Sequence, residues 1–183
     1  MTDILLLSPN YLKQNSFVDD NVSEKYIAPA IVSSQEISLK GIIGNCLLTA
    51  IKNKVNDKSI NDTENAAYKE LLDTYIQPYL VYATMERMAI PLAYKTGNFS
   101  SATRTDDEKM SSSSFADVAL IKNYWKDEKD SYKRELQCYL KKNKSLFPEL
   151  SSCCDINLDA TADIGIWLGG ARGKIIKRKC KCC

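Results

Sequence analysis

The sequence contains no histidine among its 183 residues. Histidine is the usual general base near neutral pH and a common zinc ligand. A serine–histidine–aspartate triad or a cysteine–histidine pair therefore cannot form within one chain. Carboxylate, lysine or cysteine chemistry is still open, but we expect a protein that is not an enzyme and that needs no cofactor.

Long apolar runs are also missing. No stretch approaches the roughly 20 apolar residues that a helix needs to cross a bilayer. The apolar residues 5–7 follow no basic segment, so we do not expect a secretory signal. We therefore predict no membrane partner and, from this pattern alone, a cytoplasmic localisation.

Cysteine is present in an odd number, which does not fit the regular disulfide framework of a small secreted domain. The first two cysteines lie in helix-like segments and are expected to pack as small apolar residues. A zinc site would need four ligands in a tetrahedron, and two adjacent cysteines suit that geometry poorly. We expect no metal and favour reduced thiols near the C-terminus, with disulfides between chains as the alternative. The cysteines are Cys46, Cys138, Cys153, Cys154, Cys180, Cys182 and Cys183.

Charge is distributed unevenly along the chain. Six of the 25 basic residues follow Gly170, with no acid among them. The rest of the chain therefore contains 19 basic residues and all 23 acidic residues. Such a basic end can bind nucleic acid, dock on an acidic protein surface, or be solvated, and all three alternatives are open. Residues 169–174, GGARGK, do not have the spacing of a phosphate-binding loop. The six bases are Arg172, Lys174, Lys177, Arg178, Lys179 and Lys181.

Apolar residues recur at helical spacing in three parts of the chain. The first predicted helix covers residues 24–40, with Gly41 and Gly44 ending it before a second helix over 45–55. The next covers 66–96 and contains two prolines, each of which costs about 3 kcal/mol inside a helix and kinks it. The longest covers 115–144. The residues expected to face the core are Ile27, Ile31, Ser34, Ile37, Ser38, Tyr68, Leu71, Leu72, Tyr75, Ile76, Tyr79, Leu80, Ala83, Val118, Ile121, Trp125, Tyr132, Leu136, Tyr139 and Leu140.

We therefore predict a mainly α fold, a bundle of about four to five helices with a proline-kinked central helix. Residues 1–20 are interpreted as an extended N-terminal arm, 21–150 as the helical domain, and 151–183 as a basic, cysteine-rich tail with extended or short-strand structure. The serine-rich residues 97–113 favour an exposed, mobile loop. The acids Glu70, Asp73 and Glu86 do not converge on a catalytic site, and the charged run 126–129 is expected to be solvated.

Three segments, in this order and spacing, carry a resemblance. They are VSSQEISLKGIIGNCLLTAI at 32–51, YKELLDTYIQPYLVYATMERMAIPLAYKTGN at 68–98 and YLKKNKSLFPEL at 139–150. Together they resemble the small head–tail connector, or adaptor ring, proteins of tailed bacteriophages of Bacteroidales, crAss-like phages included. The resemblance covers about residues 15–150 and includes no catalytic fingerprint.

The resemblance implies a virion structural protein at the neck between head and tail, assembled in the cytoplasm of the bacterial host. Its subunits would form a ring of about twelve copies that docks below the portal protein, contacts adjacent tail or connector rings and lets DNA pass through the lumen. Beside it stands the alternative of a small nucleic-acid-binding protein that acts through the basic tail. Candidate contact residues are Phe17, Trp167, Arg172, Lys174, Lys177, Arg178, Lys179 and Lys181.

Overall fold

A computed structural model describes residues 4–96, 101–103 and 115–152, and these form the predicted mainly α bundle. Two π-helical segments, Ser34–Leu39 and Leu71–Ile76, connect α2 to α3 and α4 to α5. A small antiparallel hairpin of β1 (Tyr94–Thr96) and β2 (Ser101–Thr103) follows α5. The α-helices are α1 Pro9–Gln14, α2 Glu24–Ser33, α3 Lys40–Asn56, α4 Ala66–Glu70, α5 Gln77–Ala93, α6 Phe115–Lys142 and α7 Glu149–Ser152. Short 3₁₀ turns cover Ser59–Asn61, Thr63–Asn65 and Lys144–Leu146.

The helix break predicted at the glycines after residue 40 is confirmed at Gly44 but not at Gly41, which lies within α3. Ser23 begins α2, with its hydroxyl accepting a hydrogen bond from the backbone N–H of Lys25. The helical path then continues to Gly44, whose φ of 78° and ψ of 167° interrupt α3. Only glycine adopts this backbone region readily, because a side chain there meets the backbone. Gly44 therefore separates two helical pieces that pack in different directions.

The central helix has its irregular turn beside the first proline. The backbone N–H of Gln77 donates to the carbonyl of Leu72, five residues back, and Pro78 follows directly. A proline has no backbone N–H, so the regular helical hydrogen-bond pattern is interrupted at the same place where this π turn lies. In the earlier π segment the same five-residue spacing buries Ser34 and Leu39 together. It leaves Ile37 exposed, so the expectation that Ile37 faces the core is wrong.

Helices α5 and α6 pack side by side and antiparallel. Tyr75, just before α5, stacks on Tyr139 of α6 with ring centroids 4.1 Å apart. Glu86 follows Tyr75 in the chain, but its partner Lys129 precedes Tyr139, so the two helices run in opposite directions. The core stripe predicted for the central helix is confirmed. The largest fully buried side chains are Tyr79, Phe147, Leu7, Leu12, Ile27, Ile31, Leu39, Ile43, Leu47, Leu48, Ile51 and Leu71.

The N-terminal segment is packed, so the prediction of an extended arm over residues 1–20 is wrong for its described part. Leu6, Leu7 and Leu12 are buried in the core. Pro9 opens α1, because the first helical position needs no backbone N–H. Ser8 caps this helix, and its hydroxyl accepts from the N–H of Tyr11 at 3.1 Å.

Two glutamines from the helices hold the backbone of this segment. The Gln35 side-chain oxygen accepts from the N–H of Leu6 at 2.7 Å, and its amide nitrogen donates to the carbonyl of Ile4 at 3.1 Å. The Gln77 amide nitrogen donates to the carbonyl of Leu6 at 3.3 Å. Because buried backbone groups need partners, these amides take the place that a neighbouring strand would fill.

Several expectations concern residues outside the described part. The predicted tail over 151–183 is described only at its first two residues, which belong to α7, so the expectation of extended structure is wrong there. The rest of the tail, with its five cysteines, lies outside the described residues. Of the loop predicted over 97–113, residues 101–103 form β2, which corrects that part of the expectation. Among the described helices, none has the length and apolar character that a membrane crossing requires.

Candidate interaction surfaces

An aromatic cluster opens to solvent where the N-terminal half of α6 passes the segment after α1. Trp125 lies at its centre, with ring centroids 4.8 Å from Tyr124, 5.7 Å from Phe17 and 6.2 Å from Tyr82. Tyr82 stacks in turn on Tyr132 at 5.0 Å. Although Phe17 covers one side of Trp125, its own side chain is 83 % exposed. We call this group the open aromatic cluster.

The same half of α6 exposes further apolar side chains. Leu120 is 71 % exposed and Ile121 is 49 % exposed, so the prediction that Ile121 faces the core is wrong. Tyr124 lies one helical turn after Leu120, and its side chain is also exposed. Leu120, Ile121 and Tyr124, together with Phe17, which contacts the neighbouring Trp125, form what we call the apolar face of α6. Contiguous exposed apolar groups of this kind are typical of protein–protein contact sites.

A groove runs between α2, α5 and α6 and has a volume of about 720 Å³. A smaller hollow of about 360 Å³ adjoins it along α6, sharing Glu86, Ile90 and Lys122. We call the two together the basic groove. Its apolar lining includes Tyr26, Pro29, Ile90 and Pro91, and its basic lining consists of Lys25, Arg87, Lys122, Lys126 and Lys129.

Among the described residues, Glu86 is the carboxylate in the lining of the basic groove, and it forms an ion pair with a lysine. Its Oε2 lies 2.5 Å from the Nζ of Lys129, and both side chains are less than one-fifth exposed. Arg87 donates to the hydroxyl of Ser38 at 2.9 Å. Ser38 also bonds Tyr79, whose pKa burial raises well above its usual value despite the opposing effect of that hydrogen bond. After Glu86 and Lys129 pair, the lining therefore keeps a net positive charge from Lys25, Arg87, Lys122 and Lys126.

A second aromatic cluster lies at the opposite end of the α5–α6 pair and is closed. Phe147 is fully buried, with its ring edge-on to Tyr68 at 5.2 Å and 6.2 Å from Tyr139. The Tyr68 hydroxyl donates to Glu149, and burial followed by that carboxylate raises the pKa of Tyr68 to about 12. Burial, followed by the charge of Glu70, raises the pKa of Tyr139 to about 12.

The predicted site residues fall into two groups. Phe17 lies in the open aromatic cluster, where its predicted contact role is untested, whereas Trp167 and the six terminal bases lie outside the described residues. The acids Glu70, Asp73 and Glu86 are not brought together into a common site. No group of three potential metal ligands occurs in the described part of the chain.

Two expectations about single residues need correction. Cys46 takes part in a disulfide, although the sequence analysis expected it to pack as a small apolar residue. The run 126–129 was expected to be solvated throughout, but Lys129 is only 16 % exposed and is paired across the bundle with Glu86. The pairing joins residues 43 positions apart, so no local sequence pattern predicts it.

Sequence reasoning also missed the two surfaces. The apolar face of α6 had a visible signal, because Leu120, Ile121, Tyr124 and Trp125 together cover a wider arc than one buried stripe needs. The basic groove had none, since its lining comes from three helices that are distant in the chain. The same is true of Gln35 and Gln77, whose partners lie in the N-terminal segment.

A family model described as a family of unknown function, DUF6712, matches residues 39–159, which is more than half of the chain. The match begins at the end of the first π segment and covers α3 to α7, including the α5–α6 pair. Comparisons with curated proteins and with solved structures found no match.

Proposed function

We propose that this chain, which belongs to the DUF6712 family, is a non-enzymatic structural subunit of a phage head–tail connector ring. In this proposal the ring docks below the portal protein at the virion neck, extends the DNA channel and gives tail proteins a docking surface. The proposal starts from the resemblance of residues 15–150 to adaptor ring proteins. The observation that carries it is the apolar face of α6.

The physical support is that half of the exposed large apolar residues in the described part of the chain belong to this one face, namely Phe17, Leu120, Ile121 and Tyr124. Burying apolar surface contributes about 25 cal/mol per Å², so a single protomer leaves part of this free energy unused. Leu120 and Phe17 are the most exposed large apolar side chains of the described residues. Contact with a second copy would bury both.

The α5–α6 pair gives this face the rigidity that an interface needs. Antiparallel packing, the stacked rings of Tyr82 and Tyr132, and the Glu86–Lys129 ion pair fix α6 against α5. A rigid helix face loses little conformational entropy when it binds. In a ring, the apolar face of one copy meets a different surface of the next, and closure leaves no interface unoccupied.

Assembly can be measured directly by mass photometry and electron microscopy of the purified chain, alone and mixed with portal rings. We expect ring-shaped complexes that contain many copies. The double variant Leu120→Lys/Tyr124→Lys should reduce the ring population about tenfold or more, because charges placed in a buried interface are costly.

Leu146→Lys is the matched control, because Leu146 is 49 % exposed and follows α6 at its other end. This variant should assemble like the wild type. A wild-type chain that stays monomeric with portal rings and forms no co-complex would contradict the proposal. Binding to duplex DNA that weakens steeply with salt would instead favour the alternative, a nucleic-acid-binding protein.

A further inference from the structure

The basic groove presents two complementary chemistries to a ligand. Its lining carries Lys25, Arg87, Lys122 and Lys126, while Lys129 is already paired with Glu86. Between these charges lie exposed apolar groups that include Tyr26 and Ile90. A nucleic-acid backbone would use the charges alone, whereas a peptide with acidic and apolar side chains would use both. The groove therefore fits a peptide better.

The chain itself contains such a peptide immediately after its described part. Residues 155–168, DINLDATADIGIWL, include three aspartates and no base. In an extended chain, successive side chains point to opposite sides. The side with even numbers is apolar throughout and consists of Ile156, Leu158, Ala160, Ala162, Ile164, Ile166 and Leu168. The opposite side carries Asp155, Asp159 and Asp163.

The length of this segment is sufficient to reach the groove on its own protomer. The described chain ends at Ser152, shortly after Phe147, which packs on Tyr139 near the end of α6. From Tyr139 back to Lys122 or Lys129, α6 extends about 15 to 26 Å at 1.5 Å per residue. An extended chain covers about 36 Å over the residues from Ser152 to Asp163, at roughly 3.3 Å per residue.

We propose that residues 155–168 of each chain dock in the basic groove of the same protomer, with apolar side chains on Tyr26 and Ile90 and aspartates beside Lys122 and Lys126. Tethering favours this occupant over a free ligand, because a linked segment has a high effective concentration at the groove. The proposal concerns a single protomer and does not depend on the proposed ring.

Zero-length carbodiimide cross-linking of the full chain tests this arrangement, because it joins only amines and carboxylates that are in contact. We expect cross-links from Lys122 or Lys126 to Asp159 or Asp163, found by mass spectrometry. The Lys129–Glu86 pair is an internal positive control, with its atoms 2.5 Å apart. If that control cross-link forms and none joins the segment to groove lysines, the proposal is wrong.

Mixing unlabelled chains with ¹⁵N-labelled chains identifies the source of the segment. Cross-links within one isotope support docking on the same protomer. Mixed-isotope cross-links would show that a second copy fills the groove, and this would overturn the proposal. Because this readout does not require a ring, its failure is distinguishable from failure of the connector function.

Acetylation of lysines in the full chain gives a second readout. Lys122 and Lys126 should react about threefold or more slowly in the wild type than in Asp159→Asn/Asp163→Asn, because docking shields their amines. Lys142, an exposed residue at the far end of α6, should react equally in both. Equal reactivity of Lys122 and Lys126 in both proteins, or protection only after duplex DNA is added, would overturn the proposal.

Discussion

The two aromatic clusters at opposite ends of the α5–α6 pair contain similar residues and have opposite relations to solvent. At the closed end, Phe147 is fully buried against Tyr68 and Tyr139. At the open end, Trp125 is covered by Phe17, whose own ring lies largely in solvent. The difference arises from the chain that follows α6, which folds back over the closed end, whereas the open end has no equivalent cover among the described residues.

This comparison separates two uses of aromatic side chains. A ring that is buried by its own chain stabilises the folded monomer. A ring left at the surface can stabilise a complex instead, because a partner can bury it. We therefore expect substitutions at the closed end to lower the free energy of unfolding and substitutions at the open end to alter association. The following predictions test this division.

The largest effect is expected for Phe147→Ala. Removing a fully buried ring leaves a cavity between Tyr68 and Tyr139, and such truncations cost about 3–5 kcal/mol in the free energy of unfolding. Urea denaturation followed by circular dichroism measures this change. A loss below about 1 kcal/mol would mean that the closed cluster relaxes around the gap, and the contrast between the clusters would then fail.

A smaller effect is expected for Gln35→Leu, which tests what holds the chain leading to Phe17. The substitution leaves the buried N–H of Leu6 and the carbonyl of Ile4 without a partner, at a cost of about 1–3 kcal/mol. Hydrogen exchange should show faster exchange of residues 4–12. Gln14→Leu, at an exposed position of α1, is the control and should leave exchange unchanged.

The next effect in size is expected at alkaline pH, which should lower the free energy of unfolding through the closed aromatic cluster. The pKa values of Tyr68 and Tyr139 are both raised to about 12, above the usual 10. Because the folded state favours the neutral phenols, their contribution is complete below pH 10 and is lost as the pH rises from 10 to about 12. Urea midpoints across this range should fall less steeply for Tyr68→Phe/Tyr139→Phe. Equal slopes would contradict this assignment.

The smallest effect on folding is expected for Phe17→Ser at the open end. Because the ring is 83 % exposed, the free energy of unfolding should change by about 0.5 kcal/mol or less. Association should respond more strongly, with fewer assembled copies in mass photometry. A large loss of folding stability with unchanged assembly would reverse the roles that we assign to the two clusters.

Much of the fold could be predicted from local pattern. Helical spacing located the central helix and α6, and Gly44 correctly marked the interruption of α3. The errors came from distant contacts. Residues 1–20 were interpreted as an extended arm, although burial of Leu7 and Leu12 draws the segment into the core. Ile37 was assigned to the core because the π turn that rotates it outward has no sequence signature that we recognised.

The candidate surfaces were less predictable than the fold. Phe17 was selected from sequence as a contact residue, but its position beside Trp125 depends on how the N-terminal segment is held by Gln35 and Gln77. The basic groove was not predicted at all, because its lysines appear in the sequence as ordinary solvated charges. Their common location follows only from the packing of α2 and α6 on α5.

The order of apolar residues along the chain determined where its helices form, because helical periodicity depends on neighbours a few positions apart. Only the tertiary structure decided which aromatic rings are enclosed, which lysines share a groove and why the first residues pack instead of extending. Those outcomes depend on contacts between residues tens of positions apart, such as Gln35 with Leu6 and Lys129 with Glu86. Such pairs form when whole helices pack, and no short stretch of sequence specifies them.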